Sequence, residues 1–316
     1  LNALPLSFDY GLYQVLMTFR AGGTLILERH FGFPYRVLKT MEIEKATGFP
    51  IVPSMAALLF RIKNLDSFDF SSLRYITNTA AFLSPDQIRK LRRVFPKAVI
   101  YSMYGLTECK RVSYLPPDMV DQKPGSVGLP IPGTRVFLVD ENGNEIDPEN
   151  GKAGELVVCG SHVMQGYWNN ETATAKVFKN GAYRERVCLY TGDLFVTDSD
   201  GFLYFTGRKD DQIKVRGERV SPKEIEEVLM EFAPVSEAAV IGVPDEISGQ
   251  AVKAYVVLER GGEIGRQEIL QHCIKRLEPL LVPKYIEIVD RFAKTANGKI
   301  DKKFLQDSGT IRPVEV

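Results

Sequence analysis

The segment Gly207-Arg-Lys-Asp-Asp-Gln-Ile-Lys-Val-Arg-Gly-Glu-Arg-Val-Ser-Pro-Lys-Glu-Ile-Glu226 divides the chain into two differently patterned regions. The residues before it form short apolar runs separated by many turn signals, and the residues after it have a core pattern of their own. Ser221-Pro-Lys-Glu224 has the form of a capping box with proline at the first helical position, which predicts that a helix begins here. A charged junction of this kind predicts a hinge between two domains, with a site in the cleft.

Residues 1–120 have the alternating strand and helix pattern of an α/β layer. Apolar runs of strand length alternate with amphipathic helical segments, and Ser84 followed by Pro85 is typical of a helix start. Such alternation predicts a parallel sheet, whose ligands gather at the carboxyl ends of its strands. The expected strands are Thr24–Leu27, Leu73–Ile76 and Ala98–Tyr101, and the expected helices are capped by Ser54 and Ser84.

Residues 121–209 and 210–316 have two further patterns. The first segment contains short strand-like runs separated by turns such as Glu141-Asn-Gly143, which predicts a small antiparallel β-barrel or curled sheet. The second, at roughly 100 residues, is large enough to fold alone as a mobile α+β domain. The predicted fold class is therefore α/β plus β-barrel plus α+β. Strands are expected at Arg135–Val139, Glu155–Cys159, Leu194–Thr197, Phe202–Thr206, Ala238–Val243, Lys253–Leu258 and Tyr285–Val289, with a helix from about Arg266.

The composition argues against a nucleic-acid partner, a structural zinc site and a transmembrane segment. Forty basic and forty acidic residues balance among 316, which disfavours a nucleic-acid partner but still allows a local phosphate site. The four cysteines are far apart and only three histidines occur, which argues against structural zinc and for a reducing, cytoplasmic location. No run of 18 apolar residues occurs, so no transmembrane segment is predicted.

The chain begins at Leu1 rather than at a methionine. We expect it to be the interior of a longer protein, and a processed N-terminus is the alternative.

Two polar clusters at predicted strand ends could bind a nucleotide. Tyr104-Gly-Leu-Thr-Glu108 offers a flat ring for a base and oxygens for Mg²⁺ and phosphate, although an ordinary polar turn is the alternative. In Tyr190-Thr-Gly-Asp193 a carboxylate held by a tight turn could accept both ribose hydroxyls, and a solvated loop Asp is the alternative.

Two further clusters are cationic. Arg208, Lys214 and Arg219 alternate with other residues in the junction, where Gly207 and Gly217 would let a ligand approach the backbone. Such alternation otherwise indicates a solvated strand face. Near the C-terminus, the lysine of Lys294-Thr-Ala-Asn-Gly-Lys299 could neutralise charge on a transferring phosphate, and a surface turn is the alternative.

These clusters together resemble the adenylate-forming superfamily, which comprises acyl-CoA synthetases, luciferase-like ligases and adenylation domains of peptide synthetases. Two further segments, Gly154-Glu-Leu-Val-Val-Cys-Gly160 and Gly166-Tyr-Trp-Asn169, resemble another signature of the same family. The resemblance covers essentially the whole chain, and the motifs occur in the family's order. It implies a partial large adenylation domain followed by a mobile C-terminal domain, with ATP, Mg²⁺ and CoA or phosphopantetheine as cofactors.

The resemblance also implies a role for each matching residue. Tyr104 and Gly105 would lie at the adenine and Asp193, supported by Arg208, at the ribose. Thr107 and Arg219 would contact phosphate, and Glu108 would hold Mg²⁺. Asp210 would be the hinge, and Lys299 would bridge the α-phosphate and the acyl carboxylate. Rotation about the hinge would then replace Lys299 by a thiol channel near Gly217. The acid pocket would include Asp9, Asn78, Thr79, Ala80, Ala81 and Met103.

Four places in the chain depart from the family pattern or match only some of its members. The Ser/Thr/Gly-rich phosphate loop that ends in Pro-Lys-Gly is absent, so we expect low or no activity from the chain alone. Ala80-Ala81 replaces a common Gly-Gly pair, which would reshape the acid pocket. Phe8-Asp9 matches amino-acid-activating relatives, in which the Asp holds an amine, although Asp9 could instead cap a helix. Arg111 could pair with an acidic substrate group or serve a surface or phosphate-side role.

The leading hypothesis is an AMP-forming ligase that joins a carboxylic acid to CoA or a carrier protein. A missing N-terminal half would be truncated or supplied by a partner chain. The second hypothesis is a regulatory or interaction subunit that keeps the fold without catalysis, since the phosphate loop is absent. The third is a nucleotide-binding module without acyl transfer, in which the hinge and Lys299 would serve no purpose.

Overall fold

The computed structural model describes residues 1–81, 83–148, 151–183, 186–259, 264–295 and 299–308. The chain forms two compact units, residues 1–205 (unit 1) and 206–316 (unit 2). Their boundary lies next to Gly207, where the sequence pattern changes. The further division of unit 1 at about residue 120 stays a prediction. In the described ranges, no helix is long and apolar enough to cross a membrane.

The first sheet of unit 1 has five strands in sequence order. Its first three strands are parallel and the last two are added antiparallel. The strands are β1 (Gly48–Ile51), β2 (Tyr75–Asn78), β3 (Val99–Tyr104), β4 (Ser113–Tyr114) and β5 (Leu129–Pro130). Four helices occur in the same region: α1 (Asp9–Arg20), α2 (Pro34–Ile43), α3 (Pro53–Leu59) and α4 (Pro85–Val94). The predicted α/β layer is thereby confirmed.

Local sequence signals predicted the helices of unit 1 more accurately than they predicted the strand expected at Thr24–Leu27. The Ser84 hydroxyl accepts from the Gln87 amide at 3.2 Å, and the Gln87 side chain accepts from the Ser84 amide at 3.1 Å, so α4 has a full capping box. Ser54, in contrast, lies inside α3, because Pro53 already occupies the first helical position. The predicted strand Thr24–Leu27 is wrong, since it contributes only one bridge, from Leu27 to Asn2.

The second sheet is antiparallel and open. Its strands follow the order β11-β10-β8-β6-β7, and β9 pairs with β10. A closed barrel, one of the two predicted alternatives, is therefore wrong for the described residues. Closure requires continuous pairing around the sheet, whereas the edge strand β7 has only two residues. The bounds are β6 (Thr134–Val139), β7 (Glu145–Ile146), β8 (Gly154–Gly160), β9 (Phe178–Tyr183), β10 (Arg186–Thr197) and β11 (Leu203–Arg208), with helix α5 (Glu171–Val177) before β9.

A disulfide joins two neighbouring strands of this sheet. Cys159 on β8 and Cys188 on β10 are bonded, with their Cα atoms 4.6 Å apart, although 29 positions separate them in sequence. Antiparallel pairing of β8 with β10 brings them together. The inference from wide cysteine spacing to a reducing compartment therefore loses its support. Cys109 and Cys273 are buried free thiols, and burial raises their pKa values to about 12 and about 11.

Unit 2 is an α+β domain, as predicted. Its five-stranded sheet has the order β13-β12-β15-β14, and β16 adds to β15 in parallel. Helices α6 and α7 pack on one apolar cluster that includes Ile225, Leu229 and Ile269. The bounds are β12 (Ile213–Val215), β13 (Glu218–Val220), α6 (Pro222–Glu231), β14 (Val235–Asp245), β15 (Gly249–Leu258), α7 (Arg266–Ile274), β16 (Tyr285–Ile288) and α8 (Lys302–Ser308).

The start of α6 differs from the prediction. The helix begins at Pro222, and Ser221 is its N-cap residue, but the Ser221 side chain makes no capping hydrogen bond. Its hydroxyl instead donates to the carbonyl of Thr206 at 2.6 Å. The predicted capping box is therefore wrong, because the hydroxyl is used to hold the chain just before Gly207.

Candidate functional site

Two of the predicted nucleotide-binding residues meet in unit 1. The Tyr104 hydroxyl donates to Asp193 Oδ2 at 2.6 Å, although the residues are 89 positions apart. The Tyr104 ring packs edge-to-face against Phe195, with 4.8 Å between centroids. Burial, and then the Asp193 charge, raises the pKa of Tyr104 well above its usual value, so this tyrosine is a neutral donor. The aromatic ring at the carboxyl end of β3 thus lies beside a carboxylate from β10 of the second sheet.

Asp193 lies within β10, at an irregularity of the strand between Tyr190 and Leu194, and not in the tight turn that the sequence predicted. The neighbouring strand β8 holds this part of β10. Glu155 accepts from the Gly192 amide at 3.0 Å, and the Thr191 hydroxyl donates to the carbonyl of Leu156 at 2.8 Å. Thr191 Oγ1 in turn accepts from the Asp193 amide at 3.1 Å. Gly192 has φ 69°, a left-handed conformation that suits glycine. The buried Asp193 side chain therefore sits on a rigid support.

The predicted magnesium ligand has a partner from another motif. The Tyr167 hydroxyl donates to Glu108 Oε1 at 2.5 Å, and the Glu108 carbonyl accepts from the Met164 amide at 2.8 Å. Burial, and then Glu108, raises the pKa of Tyr167 to about 12. The sequence singled out the segment around Tyr167 as a signature but gave it no role. In the structure, Tyr167 orients the Glu108 carboxylate.

The donor set around Glu108 suits magnesium rather than a tightly caged metal. No group of three or more His, Cys, Asp or Glu side chains that could hold a metal occurs in the described part of the chain. Mg²⁺ commonly binds proteins through one or two carboxylates and completes its shell with water and substrate phosphates. One oriented carboxylate beside the Tyr104–Asp193 pair fits that mode of binding.

Most of the predicted acid-pocket residues lie at or just after the carboxyl ends of the parallel strands β2 and β3. Asn78 closes β2 and is buried, as is Thr79 after it, while Met103 lies on β3 and packs against the core. Ala80 has φ 77°, a conformation that costs an L-residue roughly 1–2 kcal/mol and glycine nothing. A left-handed conformation at Ala80 is consistent with glycine at this place in many family members, where this chain has Ala80-Ala81.

Asp9 and Thr107 connect the pocket residues to the loop after β3. Thr107 Oγ1 lies 3.5 Å from Asp9 Oδ1, and Asp9 is the first residue of α1. The next residue, Tyr10, donates its hydroxyl to the carbonyl of Thr77 at 2.8 Å. Gly105 cannot be larger, because a Cβ there would lie 2.0 Å from the Lys110 carbonyl oxygen. The loop after β3 therefore folds back tightly beside α1.

The remaining predicted residues belong to unit 2. Arg208 ends β11, and Asp210 is exposed in the turn that leads to β12, where the Asp211 amide donates to the Arg208 carbonyl. Arg216 and Gly217, with φ 52° and 88°, form the two-residue turn between β12 and β13, and Arg219 is exposed on β13. Two successive positive φ values are what a tight hairpin turn requires.

Lys299 is exposed, and its backbone is anchored by described residues on either side. The Thr295 amide donates to the Lys299 carbonyl at 2.8 Å, and a bridge pairs Lys294 with Ile300. Ion pairs hold both flanks: Lys294 bonds Glu237, and Lys302 bonds Glu226, each at 2.7 Å. Asn297 and Gly298, the other members of this predicted motif, lie outside the described residues.

Comparison with known proteins identifies the family. A family model described as AMP-binding enzyme matches residues 1–168, and one described as the AMP-binding enzyme C-terminal domain matches residues 224–299. The chain belongs to the AMP-binding enzyme family. This confirms the resemblance to the adenylate-forming superfamily that the motifs indicated.

Curated members of the AMP-binding family align along nearly the whole chain. A long-chain-fatty-acid–CoA ligase of Bacillus subtilis (strain 168) is 34% identical over 98% of this chain and 54% of its own length. One from Yersinia pestis is 37% identical over 97% of this chain and 53% of its own length. The chain therefore spans about half the length of these relatives.

Solved structures of AMP-binding enzymes have the same fold. Amide bond synthetase McbA from Marinactinospora thermotolerans has a TM-score of 0.87 and 33% identity over 97% of this chain and 61% of its own. The o-succinylbenzoate CoA synthetase of Bacillus subtilis, solved with its acyl-adenylate intermediate, has a TM-score of 0.82 and 29% identity over 99% of this chain and 61% of its own.

Proposed function

We propose that this chain is the nucleotide- and acid-binding part of an AMP-forming ligase that joins a carboxylic acid to a thiol. The contact between Tyr104 and Asp193, next to Glu108, carries the proposal. It places a carboxylate proposed to bind ribose beside a flat ring at the carboxyl end of the parallel strand β3, where nucleotides bind in α/β sheets. Glu108, the proposed metal ligand, follows Tyr104 in the loop after the same strand. The family assignment and the acyl-adenylate bound to a structural relative support the same reading.

A carboxylate is a poor acylating agent, so it must first be activated. Its oxygen attacks the α-phosphorus of ATP, pyrophosphate leaves, and an acyl-adenylate forms. A thiol then attacks the acyl carbon, and AMP leaves with the bridging oxygen. Bound Mg²⁺ would neutralise phosphate charge.

In this scheme the residues of unit 1 hold the nucleotide. Tyr104 and Gly105 pack on adenine, Asp193 accepts the ribose hydroxyls, and Thr107 donates to the α-phosphate. Glu108, oriented by Tyr167, would hold Mg²⁺.

The residues of unit 2 act at different steps of the reaction. Lys299 neutralises the developing charge during adenylation, with Arg208 at the ribose and Arg219 at the phosphate. Asp210 is the pivot, and the Gly217 turn offers a backbone edge to the thiol.

The acid and the acceptor belong to the proposal as well. Asp9, Asn78, Thr79, Ala80, Ala81 and Met103 line the acid site. Relatives named as ligases for long-chain fatty acids, indoleacetate and oxalate all use CoA, which favours CoA over a carrier-protein phosphopantetheine.

A cytoplasmic location, expected from the cysteine spacing, also stays a proposal. The Cys159–Cys188 disulfide removes the cysteine argument for it, because disulfides persist mainly in oxidising compartments.

Carboxylate-dependent exchange of pyrophosphate into ATP tests the proposal. We expect little exchange from the chain alone, since the phosphate loop of the family is not in this chain. We expect robust exchange once upstream sequence that contains the loop is joined to it, a protein called here the upstream-joined protein. Absence of exchange in both proteins, across fatty, aryl, amino and dicarboxylic acids, would favour the regulatory-subunit hypothesis and exclude the ligase.

A further inference from the structure

Arg111 is a part-buried cation whose Nε is enclosed by the protein. Its Nε is buried and has no hydrogen-bond partner, and it takes part in no ion pair among the described residues. Burial lowers the pKa of the Arg111 guanidinium, and nearby Tyr10 and Asp9 raise it by smaller amounts. Arginine nevertheless stays charged in proteins, and the acidic neighbour of this charge, Asp9, forms no ion pair with it.

The position of Arg111 points to the acid site. Its backbone folds against the end of β3, since a Cβ on Gly105 would come 3.0 Å from the Arg111 Cα. Its electrostatic neighbours, Tyr10 and Asp9, begin α1, and Tyr10 is bonded to Thr77 near the end of β2. The guanidinium is therefore close to residues of the proposed acid pocket.

The charges there disfavour an amine on the substrate. Lys110 and Arg111 both interact electrostatically with Asp9, so two cations share one carboxylate. The Lys110 ammonium is already engaged, 3.5 Å from the centre of the Tyr13 ring. A third cation beside Asp9 would be repelled, whereas an anion would be attracted.

We propose that Arg111 binds a second anionic group of the acid, so that dicarboxylic acids are preferred over monocarboxylic and amino acids. This inference rests on the proposed ligase function. A guanidinium offers a planar fork of donors that matches a carboxylate, and a bound carboxylate would compensate the enclosed charge. Arg111 is thereby a specificity-determining residue.

The test compares two stable acyl-adenylate analogues, the glutaryl sulfamoyl adenosine and its methyl ester, by calorimetric titration. The ester removes only the distal negative charge. We expect the free acid to bind the chain at least about tenfold more tightly, which is the range of one charged hydrogen bond. Arg111→Met should abolish that preference, and Arg111→Lys should restore part of it. Lys110→Met is the charge-matched control and should keep the preference.

Several outcomes would overturn the inference. Equal binding of the two analogues to the unaltered chain would overturn the inference. This result needs no variant, so misfolding of a variant could not explain it. Equal weakening of both analogues by Arg111→Met would assign the guanidinium to the phosphate instead. Exchange activity of the upstream-joined protein with monocarboxylic acids but not with glutarate would overturn only this inference. Lack of binding by both analogues, with no exchange for any acid, would overturn the proposed function itself.

Discussion

Replacing Asp193 by Ala should lower carboxylate-dependent pyrophosphate exchange by at least about a hundredfold in the upstream-joined protein. The change removes the carboxylate proposed to accept two ribose hydroxyls, and hydrogen bonds to a charged group are worth roughly 1.5–3 kcal/mol each. It also deprives the buried Tyr104 hydroxyl of the acceptor that it now reaches at 2.6 Å. Exchange at saturating acid, measured against ATP concentration, would show the loss chiefly as weaker ATP binding.

Two variants separate binding from stability at this position. Tyr104→Phe removes the hydroxyl but leaves Asp193 on its Glu155 and Thr191 support, so we expect a much smaller loss of exchange. Asp193→Ala combined with Tyr104→Phe removes the unpaired hydroxyl and should recover part of the roughly 1–3 kcal/mol of lost stability, but not the activity. Exchange by Asp193→Ala at the unaltered rate would remove Asp193 from the nucleotide site.

Replacing Lys299 by Ala should separate the two half-reactions. We expect acyl-adenylate formation to fall by about a hundredfold or more, because loss of one oriented donor to developing charge has effects of this size. Formation of thioester from supplied acyl-adenylate should survive largely unchanged, since the proposed rotation moves Lys299 away from that step. Single-turnover measurements of each step would give the two rates.

Lys303 provides the matched control. It is exposed on α8, only four positions from Lys299, and has the same charge. Lys303→Ala should leave both rates unaltered. Equal loss of both half-reactions in Lys299→Ala would contradict a lysine that serves adenylation alone, and with it the two-state hinge.

The sequence predicted elements whose cause is local. The Ser84 capping box and the proline starts of α4 and α6 depend on residues within one helical turn, and all three occur. Ser221 shows the limit of such reasoning, because its hydroxyl bonds Thr206, fifteen positions away, in place of the helix. The same Ser-Pro signal thus gave a capping box at Ser84 and none at Ser221. The difference at Ser221 is the Thr206 carbonyl, a partner outside the helix.

The sequence predicted which motifs form the candidate site, but it did not predict the contacts between them. Tyr104 and Asp193 were both named from the sequence, yet their hydrogen bond depends on how the end of β3 packs beside β10. The role of Tyr167 in orienting Glu108 was missed for the same reason. The disulfide between Cys159 and Cys188 likewise depends on which strands become neighbours, and spacing carries no such information.

The most direct test of an AMP-forming ligase follows the carboxylate oxygen. The upstream-joined protein would be given a substrate acid labelled with ¹⁸O in its carboxylate, together with ATP and CoA, and the released AMP would be analysed by mass spectrometry. Attack of the carboxylate on the α-phosphorus predicts that each AMP carries one ¹⁸O atom from the acid. Thioester formation that leaves AMP unlabelled, or that yields ADP with ¹⁸O in phosphate, would contradict the account.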